Sequence, residues 1–455
     1  MPSTAPDAET TAPSNAPIKK LPVELLGEIF MWTLGDWGMM TDEPPRLLLE
    51  PLTLSHVCVH WRSVAISIPM LWAAIWIDRP RAAHIHMVEL WVERSQSCLL
   101  SIHLRQTDPK SRLSFPASIE HDLTDEILTL LIPHLHRWHV VEFLFSADAQ
   151  RPLTSLPVDE ATALEHVALH VDSWDAAVAE SLQTALYSRP SLRSLHLMPA
   201  SNLKCVQWKQ LTHLVAVPEC TLDTCLGILA SCPTLSSATF TCSAQPDWAH
   251  TPFSYPDQYL TLPSLVDISL KASRIDLSPF FNRLTLPALR SLALDYCHVP
   301  RATPDHQSLH NLLDRSGCAL EFFSLHETAR ICDENRPIAF LQTPHLSSLL
   351  VLELRVDITD KIIHFLTFGA ERAPTLPNLT DMSLTDNRGD HISDVALAQM
   401  ILSRLAPPDS SSSTACLRFA ELHLRLQSHS NCAILADSCR DDLELRFTPL
   451  NCFCK

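Results

Sequence analysis

The stretch PSLVDISL, residues 263–270, decides the fold, because the same pattern returns along the chain. Close copies are PSLRSLHL (190–197), PALRSLAL (287–294) and PNLTDMSL (377–384). Each copy has apolar residues at the first, fourth and sixth places of a Leu-x-x-Leu-x-Leu motif, with a proline two places before it. The alternation at the end of the motif is typical of a short strand with one buried face. A recurring unit of this kind predicts stacked repeats.

Looser copies extend the series in both directions. They are LEHVAL (164–169), LSSATF (235–240), LEFFSL (320–325), LSSLLV (346–351) and FAELHL (419–424), and the residues Trp138, Val141 and Phe143 start the series. Between the copies, apolar residues recur at helical spacing. These segments are 173–187, 222–230, 308–315, 359–368 and 393–405. We therefore predict an α/β repeat over residues 79–455, an irregular solenoid in which parallel strands alternate with helices.

The repeat interpretation has a simpler competitor. A leucine-rich chain matches so permissive a pattern several times by chance, and only Cys297 and Asn387 stand where a standard leucine-rich repeat has its buried Cys or Asn. The recurring proline, the helical segments in between and the scarcity of glycine favour the repeat, because other parallel α/β folds use more glycine.

Residues 18–78 predict a different unit, a small all-α module. Pro22 suits the first turn of a helix, and we expect Leu25, Ile29 and Phe30 on one side of it. Further apolar residues recur at steps of three and four, which predicts one face of a second helix. They are Leu54, Val57, Cys58, Trp61, Val64, Ala65 and Ile68. A module of roughly 50 residues buries too little surface to be stable by itself, so its apolar surplus predicts a partner or a neighbouring domain.

The ordered residues of this module resemble the F-box domain, in the F-box-like form common in fungal proteins. The matching residues include Leu21-Pro22, Glu24, Trp61-Arg62, Ala65 and the Leu71-Trp72 pair after Pro69. An insert at 34–50 is longer than in a minimal F-box, and we expect it to form a loop. The resemblance implies docking on a Skp-type adaptor. The residues expected to contact the adaptor, or to order the docking helices, are Leu21, Pro22, Leu25, Ile29, Phe30, Leu54, Val57, Cys58, Trp61, Leu71 and Trp72.

F-box modules are often followed by leucine-rich repeats, and the two regions stand in that order here. The resemblance therefore implies the substrate-recognition subunit of a cullin-based ubiquitin ligase of the SCF type. In that role the module binds a Skp-type adaptor, and through it a cullin, while the repeats hold an unknown protein target near a ubiquitin-conjugating enzyme. The alternative is a leucine-rich-repeat scaffold whose F-box-like helices only cap the solenoid. An unrecognised hydrolase is a remote third possibility.

The third, fifth and seventh residues of each repeat should face the concave surface, since alternate strand residues point to opposite faces. These positions are polar and diverse, which is compatible both with target binding and with ordinary solvated strands. The candidate target-binding residues are His166, His170, His196, Met198, Asp267, Lys271, Asp295, His326, His423 and Arg425.

Composition excludes several classes of function. The net charge is −17 and no basic run interrupts it, so nucleic acid and anionic membranes are poor partners. The seven glycines are too dispersed for a dinucleotide-binding or phosphate-binding loop. The 15 scattered cysteines fit free thiols in a reducing compartment, and we expect a soluble cytoplasmic or nuclear protein. Residues 1–17 are rich in Ala, Pro, Thr and Ser, carry no signal-peptide pattern and should be disordered.

Candidate chemical sites are weak. The closely spaced histidine groups have no carboxylate or thiol partners at metal-ligand spacing in the sequence. They are His56 with His60, His84 with His86, and His134 with His136 and His139. Neither Cys220 with Cys225 nor Cys452 with Cys454 forms a paired zinc motif, and Cys452 matches a prenylation signal only weakly. No Ser, His and Asp spacing indicates a triad. We expect no metal, no cofactor and no enzymatic activity.

Overall fold

The computed structural model describes most of the chain. The described residues are 21–33, 50–106, 117–145, 152–153, 156–170, 175–198, 203–244, 259–297, 305–328, 335–369, 375–387, 392–405, 415–424 and 444–447. They belong to two compact units. The first comprises the described residues up to 165 together with residues 175–182, and the second comprises all the others. The predicted disordered tail, the predicted insert up to residue 49, and the candidate target-binding residue Arg425 all lie outside the described residues.

The first unit combines helices with three parallel strands. Its helices are α1 (Val23–Trp32), α2 (Glu50–Val57), α3 (Val59–Ser67), α4 (Ala82–Arg94) and α5 (Ala117–Leu131), and its strands are β1 (Ala74–Asp78), β2 (Leu100–Arg105) and β3 (Trp138–Leu144). The strands pair in the order β1-β2-β3. Short 3₁₀ turns occur at Pro69–Trp72, Ile132–Arg137 and Val158–Glu160.

The second unit alternates parallel strands with helices. Its strands are β4 (His166–His170), β5 (Ser194–Leu197), β6 (His213–Cys220), β7 (Ser237–Ser243), β8 (Leu260–Thr261), β9 (Asp267–Ser273), β10 (Leu284–Thr285), β11 (Ser291–Cys297), β12 (Phe322–Glu327), β13 (Val351–Val356), β14 (Asp381–Asp386), β15 (Phe419–His423) and β16 (Glu444–Phe447). Its helices are α7 (Leu222–Ser231), α8 (Ser278–Arg283), α9 (Asp305–Ser316), α10 (Asn335–Leu341), α11 (Asp360–Leu366) and α12 (Asp394–Leu405), and α6 (Ala176–Tyr187) contributes to both units.

Eleven of these strands lie in one sheet, in the order β4-β5-β6-β7-β9-β11-β12-β13-β14-β15-β16. The other two, β8 and β10, form a separate parallel pair. All pairings between the described strands of this unit are parallel, so each strand must be followed by a crossover before the next one. The prediction of an α/β repeat is confirmed at this level.

The repeated apolar positions form the core. In the stretch that revealed the pattern, Leu265, Ile268 and Leu270 are almost fully buried, and Asp267 and Ser269 between them are only partly buried. Strand β9 lies between β7 and β11 with matched register, so these side chains continue a row from strand to strand. Each buried leucine or isoleucine stabilises the fold by about 1.5–3 kcal/mol. Side-chain alternation therefore sets the burial pattern.

Two predicted repeats were placed in the wrong register. In LSSLLV the core positions are Leu349, Leu352 and Leu354, because Leu352 pairs with Phe323 of β12. Leu346 is also buried, but it lies in the 3₁₀ turn Pro344–Ser348 that precedes the strand. The last repeat likewise starts at Leu417, not at Phe419, since Ala420 pairs with Met382. A run rich in leucine offers several frames, and the neighbouring strand selects one.

The N-terminal module also differs from its prediction. The expected single helix from Leu54 to Ile68 is two helices, since Cys58 has an extended backbone (φ −161°, ψ 172°). Its sulfur accepts a hydrogen bond from the backbone N–H of Trp61 at 3.4 Å and so caps α3. The module is not entirely helical either, because Ala74–Asp78 pairs with β2 as a strand.

Within the part of the chain that the structure describes, no helix is both long enough and apolar enough to cross a lipid bilayer.

Candidate functional site

A small aromatic core holds the N-terminal helices together. The ring centroids of Phe30 on α1 and Trp61 on α3 lie 5.0 Å apart. The indole N–H of Trp72 donates to the backbone oxygen of Ala65 at 2.8 Å, which ties the Pro69–Trp72 turn to the end of α3. Gly27 allows Ile68 to approach α1, because a Cβ at that position would lie 3.2 Å from Ile68 Cδ1. The helices therefore pack on one another through one face of α1.

The opposite face of α1 is apolar and exposed. Leu25 is 53%, Ile29 45% and Trp32 83% exposed, and steps of four and three residues place them in one stripe. The prediction that Leu25, Ile29 and Phe30 share a side is wrong, since Phe30 points inward with Leu26. The reason is an interior contact: Phe30 packs against Trp61, which leaves Leu25, Ile29 and Trp32 exposed to solvent.

More exposed apolar side chains lie at the junction of α2 and α3 and beyond it. Val57, Val59, Ile66 and Met70 are all exposed, Val59 by 77%. Large exposed apolar groups are unusual when they cluster on a small module, and they mark candidate interaction surfaces. The helix break at Cys58 turns Val57 and Val59 outward, so periodicity across an unbroken helix could not reveal Val59. The sequence did indicate Trp32, because it follows Ile29 by three residues and so falls on the same side of the helix.

The predicted docking residues separate into three groups by exposure. Pro22, Leu25, Ile29 and Val57 are exposed, and Leu21, Cys58 and Trp61 are partly exposed. Phe30, Leu54, Leu71 and Trp72 are buried within the first unit, so they order the helices and are not available to a partner. Trp32, Val59 and Met70 extend the exposed group beyond the predicted residues.

The second candidate surface is the polar face of the sheet in the second unit. Lys271 is exposed, and six of the predicted residues are partly buried there: His166, His170, Asp267, Asp295, His326 and His423. His196 and Met198 are buried, so the prediction that they present side chains to a target is corrected. In β5 only Ser194 is partly exposed, whereas Leu195, His196 and Leu197 are all buried, and Met198 directly follows the strand.

Paired groups already occupy part of this face. His326 Nδ1 lies 3.1 Å from Asp295 Oδ1, and Ser237 donates to Asp267 Oδ2 at 2.8 Å. Burial lowers the pKa of His326, Asp295 raises it, and Arg355 and Lys271 lower it. Arg355 joins this row because the register of β13 pairs it with His326. The misplaced register concealed Arg355 from the sequence prediction.

Comparison with known proteins adds little. No family model and no curated protein matches the sequence significantly. A solved structure of the Toll–Spatzle complex, from Drosophila development and innate immunity, matches with 12% identity and a TM-score of 0.24. The match covers 75% of this chain and 46% of that chain, so this chain spans less than half of its length. A likeness at this TM-score carries no argument about function. Among the described residues, no group of three His, Cys, Asp or Glu side chains is arranged to hold a metal ion.

Proposed function

We propose that this chain is a substrate-recognition adaptor of an SCF-type ubiquitin ligase. The observation that carries the proposal is the exposed apolar surface of α1–α3, around Leu25, Ile29 and Trp32, on a module whose own core is closed. The ordered residues from Leu21 to Trp72 resemble an F-box, and the exposed stripe supplies what docking on a Skp-type adaptor requires. The chain contributes binding surfaces, and a conjugating enzyme supplies the reacting groups.

In this role the residues of the module have two tasks, contact with the adaptor and support of the docking helices. Leu25, Ile29, Trp32 and Val57 contact the adaptor, because their side chains are apolar and exposed. Phe30, Leu71 and Trp72 hold the helices at the angle that presents that stripe. Substitution of the first group should weaken docking in a folded protein, whereas substitution of the second group should destabilise the module itself.

A second candidate function is a repeat scaffold whose helices only cap the sheet. One observation favours it: the module is continuous with the rest of the first unit. Trp72 stacks edge-on against Trp91 of α4 with ring centroids 4.8 Å apart, and the Arg94 guanidinium lies 4.3 Å from the Trp72 ring centroid. A helical cap would need these contacts, but it would have no use for an exposed Ile29 and Trp32.

Co-purification with a Skp-type adaptor separates the two candidates. We expect the wild-type chain to bind the adaptor and the Leu25→Glu, Ile29→Glu double variant to lose at least roughly tenfold in affinity, because charge cannot be buried in an apolar interface. The matched control is Val395→Glu on α12, since Val395 is 55% exposed and Leu25 is 53% exposed. Failure of the wild-type chain to bind, or unchanged binding by the double variant, would favour the capping role.

The polar sheet face of the second unit is the proposed target side. Lys271 and Arg355 are exposed and the Asp295–His326 pair lies between them in register, which gives a row of charged and polar groups across four strands. Solenoid sheets of this kind present extended binding surfaces. Crosslinking of the full chain to bound protein, with Lys271→Glu and Arg355→Glu as variants, tests whether a captured target contacts this row.

A further inference from the structure

Three thiols come together in the core of the second unit. Cys220 ends β6, Cys225 lies in the first half of α7, and Cys242 lies near the end of β7. All three side chains are fully buried. Strands β6 and β7 are neighbours in the sheet, and their register places Cys220 opposite Cys242. Because α7 packs on both strands, it brings Cys225 to the same place.

The sulfur atoms of Cys225 and Cys242 lie 3.8 Å apart, although the two residues are 17 positions apart in the chain. A disulfide bond holds its sulfurs about 2.05 Å apart, so small rotations of the two side chains would have to close a gap of roughly 1.8 Å. The Cys220 thiol donates to the backbone oxygen of Pro218 at 3.4 Å, within its own strand. The fold therefore places one pair of thiols, Cys225 and Cys242, in position for oxidation.

Burial protects this pair while the fold is closed. It raises the pKa of the Cys225 thiol well above its usual value, and hydrogen bonds with Cys220 and Cys242 raise that pKa further. Because the thiolate is the nucleophile in thiol–disulfide exchange, the pair reacts when α7 opens locally. Local opening therefore sets the rate of oxidation. The equilibrium depends instead on how closely the folded chain holds the two sulfurs together, since that sets their effective concentration.

We propose that Cys225 and Cys242 form a reversible disulfide that fastens α7 to β7 under oxidising conditions. The oxidant is a low-molecular-weight disulfide such as oxidised glutathione. One cysteine thiolate attacks it and displaces a glutathione thiolate, and the second cysteine thiolate then attacks the mixed disulfide and displaces the other glutathione. The two cysteines together lose two protons and two electrons, and the oxidant is reduced to two glutathione molecules.

A disulfide of this kind agrees with the scattered thiols of the chain, because disulfides in reducing compartments are typically transient and respond to redox conditions. A metal ion is not the expected ligand of the cluster, since no three ligating groups of the described residues are arranged to hold one. The bond would restrict the unfolded chain between β7 and α7 and so stabilise the folded unit. This inference goes beyond the proposed ligase role and does not depend on it.

Glutathione buffers of increasing oxidised fraction test the pair in the full chain. After incubation to constant composition, the remaining thiols are alkylated with N-ethylmaleimide and the bridged peptides are identified by mass spectrometry. We expect two peptides joined through Cys225 and Cys242, lighter by two hydrogens than the same peptides in reduced form. The bridged chain should also resist urea better, with the equilibrium constant for unfolding lowered at least roughly tenfold relative to the reduced chain.

Cys225→Ala and Cys242→Ala each remove one partner, and each should abolish both the bridged peptides and the gain in resistance to urea. The matched control is Cys232→Ala, because Cys232 directly follows α7 and is equally buried. Burial alone raises the pKa of Cys232 to about 12, so no neighbouring thiol acts on it. This control should keep the bridge. Circular dichroism of the reduced variants checks that they fold, and the peptide map of the wild-type chain is a result that needs no variant.

Three outcomes would each overturn the proposal. They are the absence of a Cys225–Cys242 peptide pair from the oxidised wild-type chain, a bridge from Cys225 to Cys220 in its place, and an equal gain in resistance to urea in the wild-type chain and Cys225→Ala. The experiment contains neither adaptor nor target, so its failure and that of the ligase proposal are separate results.

Discussion

His326 lies on the polar sheet face, where burial and charged neighbours both act on its pKa. Its imidazole lies 3.1 Å from Asp295, and its neighbours in the row are Lys271 and Arg355. Burial, the largest effect, lowers the pKa of His326 below its usual value, Asp295 works against that effect, and the two cations add to it. Any anion that a target brings to this row would raise the pKa again.

We expect His326 to titrate below pH 6.5 in the folded chain. Asp295→Asn should lower the pKa further, and Arg355→Met should raise it, because each removes one named electrostatic effect. Since the folded-state pKa lies below the unfolded value, the contribution of this residue to stability is present above pH 6.5 and is lost as pH falls through the folded pKa. Titration of the His326 ring proton by NMR measures the shifts, and a raised pKa in Asp295→Asn would contradict the assignment.

Single-residue exposure on α1 could be predicted only in part. Periodicity correctly indicates that Leu25 and Ile29 share a side, because they lie four residues apart. It cannot say which of two apolar sides faces inward, since Leu26 and Phe30 have the same spacing. The aromatic contact of Phe30 with Trp61, thirty-one positions further along the chain, decides the matter.

Among the elements, β13 shows how a strand's frame is chosen. Residues 346–354 contain leucines in two overlapping frames, and the parallel ladder with β12 places Leu352 opposite Phe323. Leu352 is fully buried and Val351 only partly. The motif read from the sequence assigned the core position to Val351. A shift by one residue would exchange the faces of the whole strand, including Arg355.

Two alanine variants test this frame. Leu352→Ala should lower the free energy of unfolding by about 2–5 kcal/mol, because it leaves a cavity in a packed core. Val351→Ala should cost roughly 1 kcal/mol or less, because that side chain borders solvent. Urea denaturation of both variants gives the two values, and a larger cost at Val351 would restore the frame inferred from the sequence.

A buried charge network joins successive repeats at the scale of the second unit. Arg336 in the first turn of α10 donates to Glu327 at the end of β12, and its Nη2 lies 3.5 Å from Asp305 Oδ2 at the start of α9. The guanidinium also lies 4.4 Å from the ring centroid of Tyr296 on β11. Burial and the nearby Asp305 raise the pKa of Tyr296, so its hydroxyl stays protonated. The network therefore couples two strand-to-helix connections, β11 to α9 and β12 to α10.

Removal of this arginine should loosen several repeats together. Arg336→Met leaves Asp305 and Glu327 without their shared cation, and we expect a loss of about 3–5 kcal/mol in the free energy of unfolding. The control is Arg290→Met, which breaks the exposed pair with Glu321 and should cost roughly 1 kcal/mol or less. Equal losses in the two variants, measured by urea denaturation, would show that burial of the Arg336 network has no energetic consequence.

The sequence by itself determined the repeat, because burial of alternate strand residues is written into local periodicity and needs no knowledge of the neighbours. The tertiary structure decided the frame of β13, the inward side of α1 and the helix break at Cys58, since each depends on a contact with another element or on one residue's backbone. It also brought Arg336 to Asp305. Such groups are distant along the chain and meet only because neighbouring repeats stack, so no spacing within one repeat can reveal them.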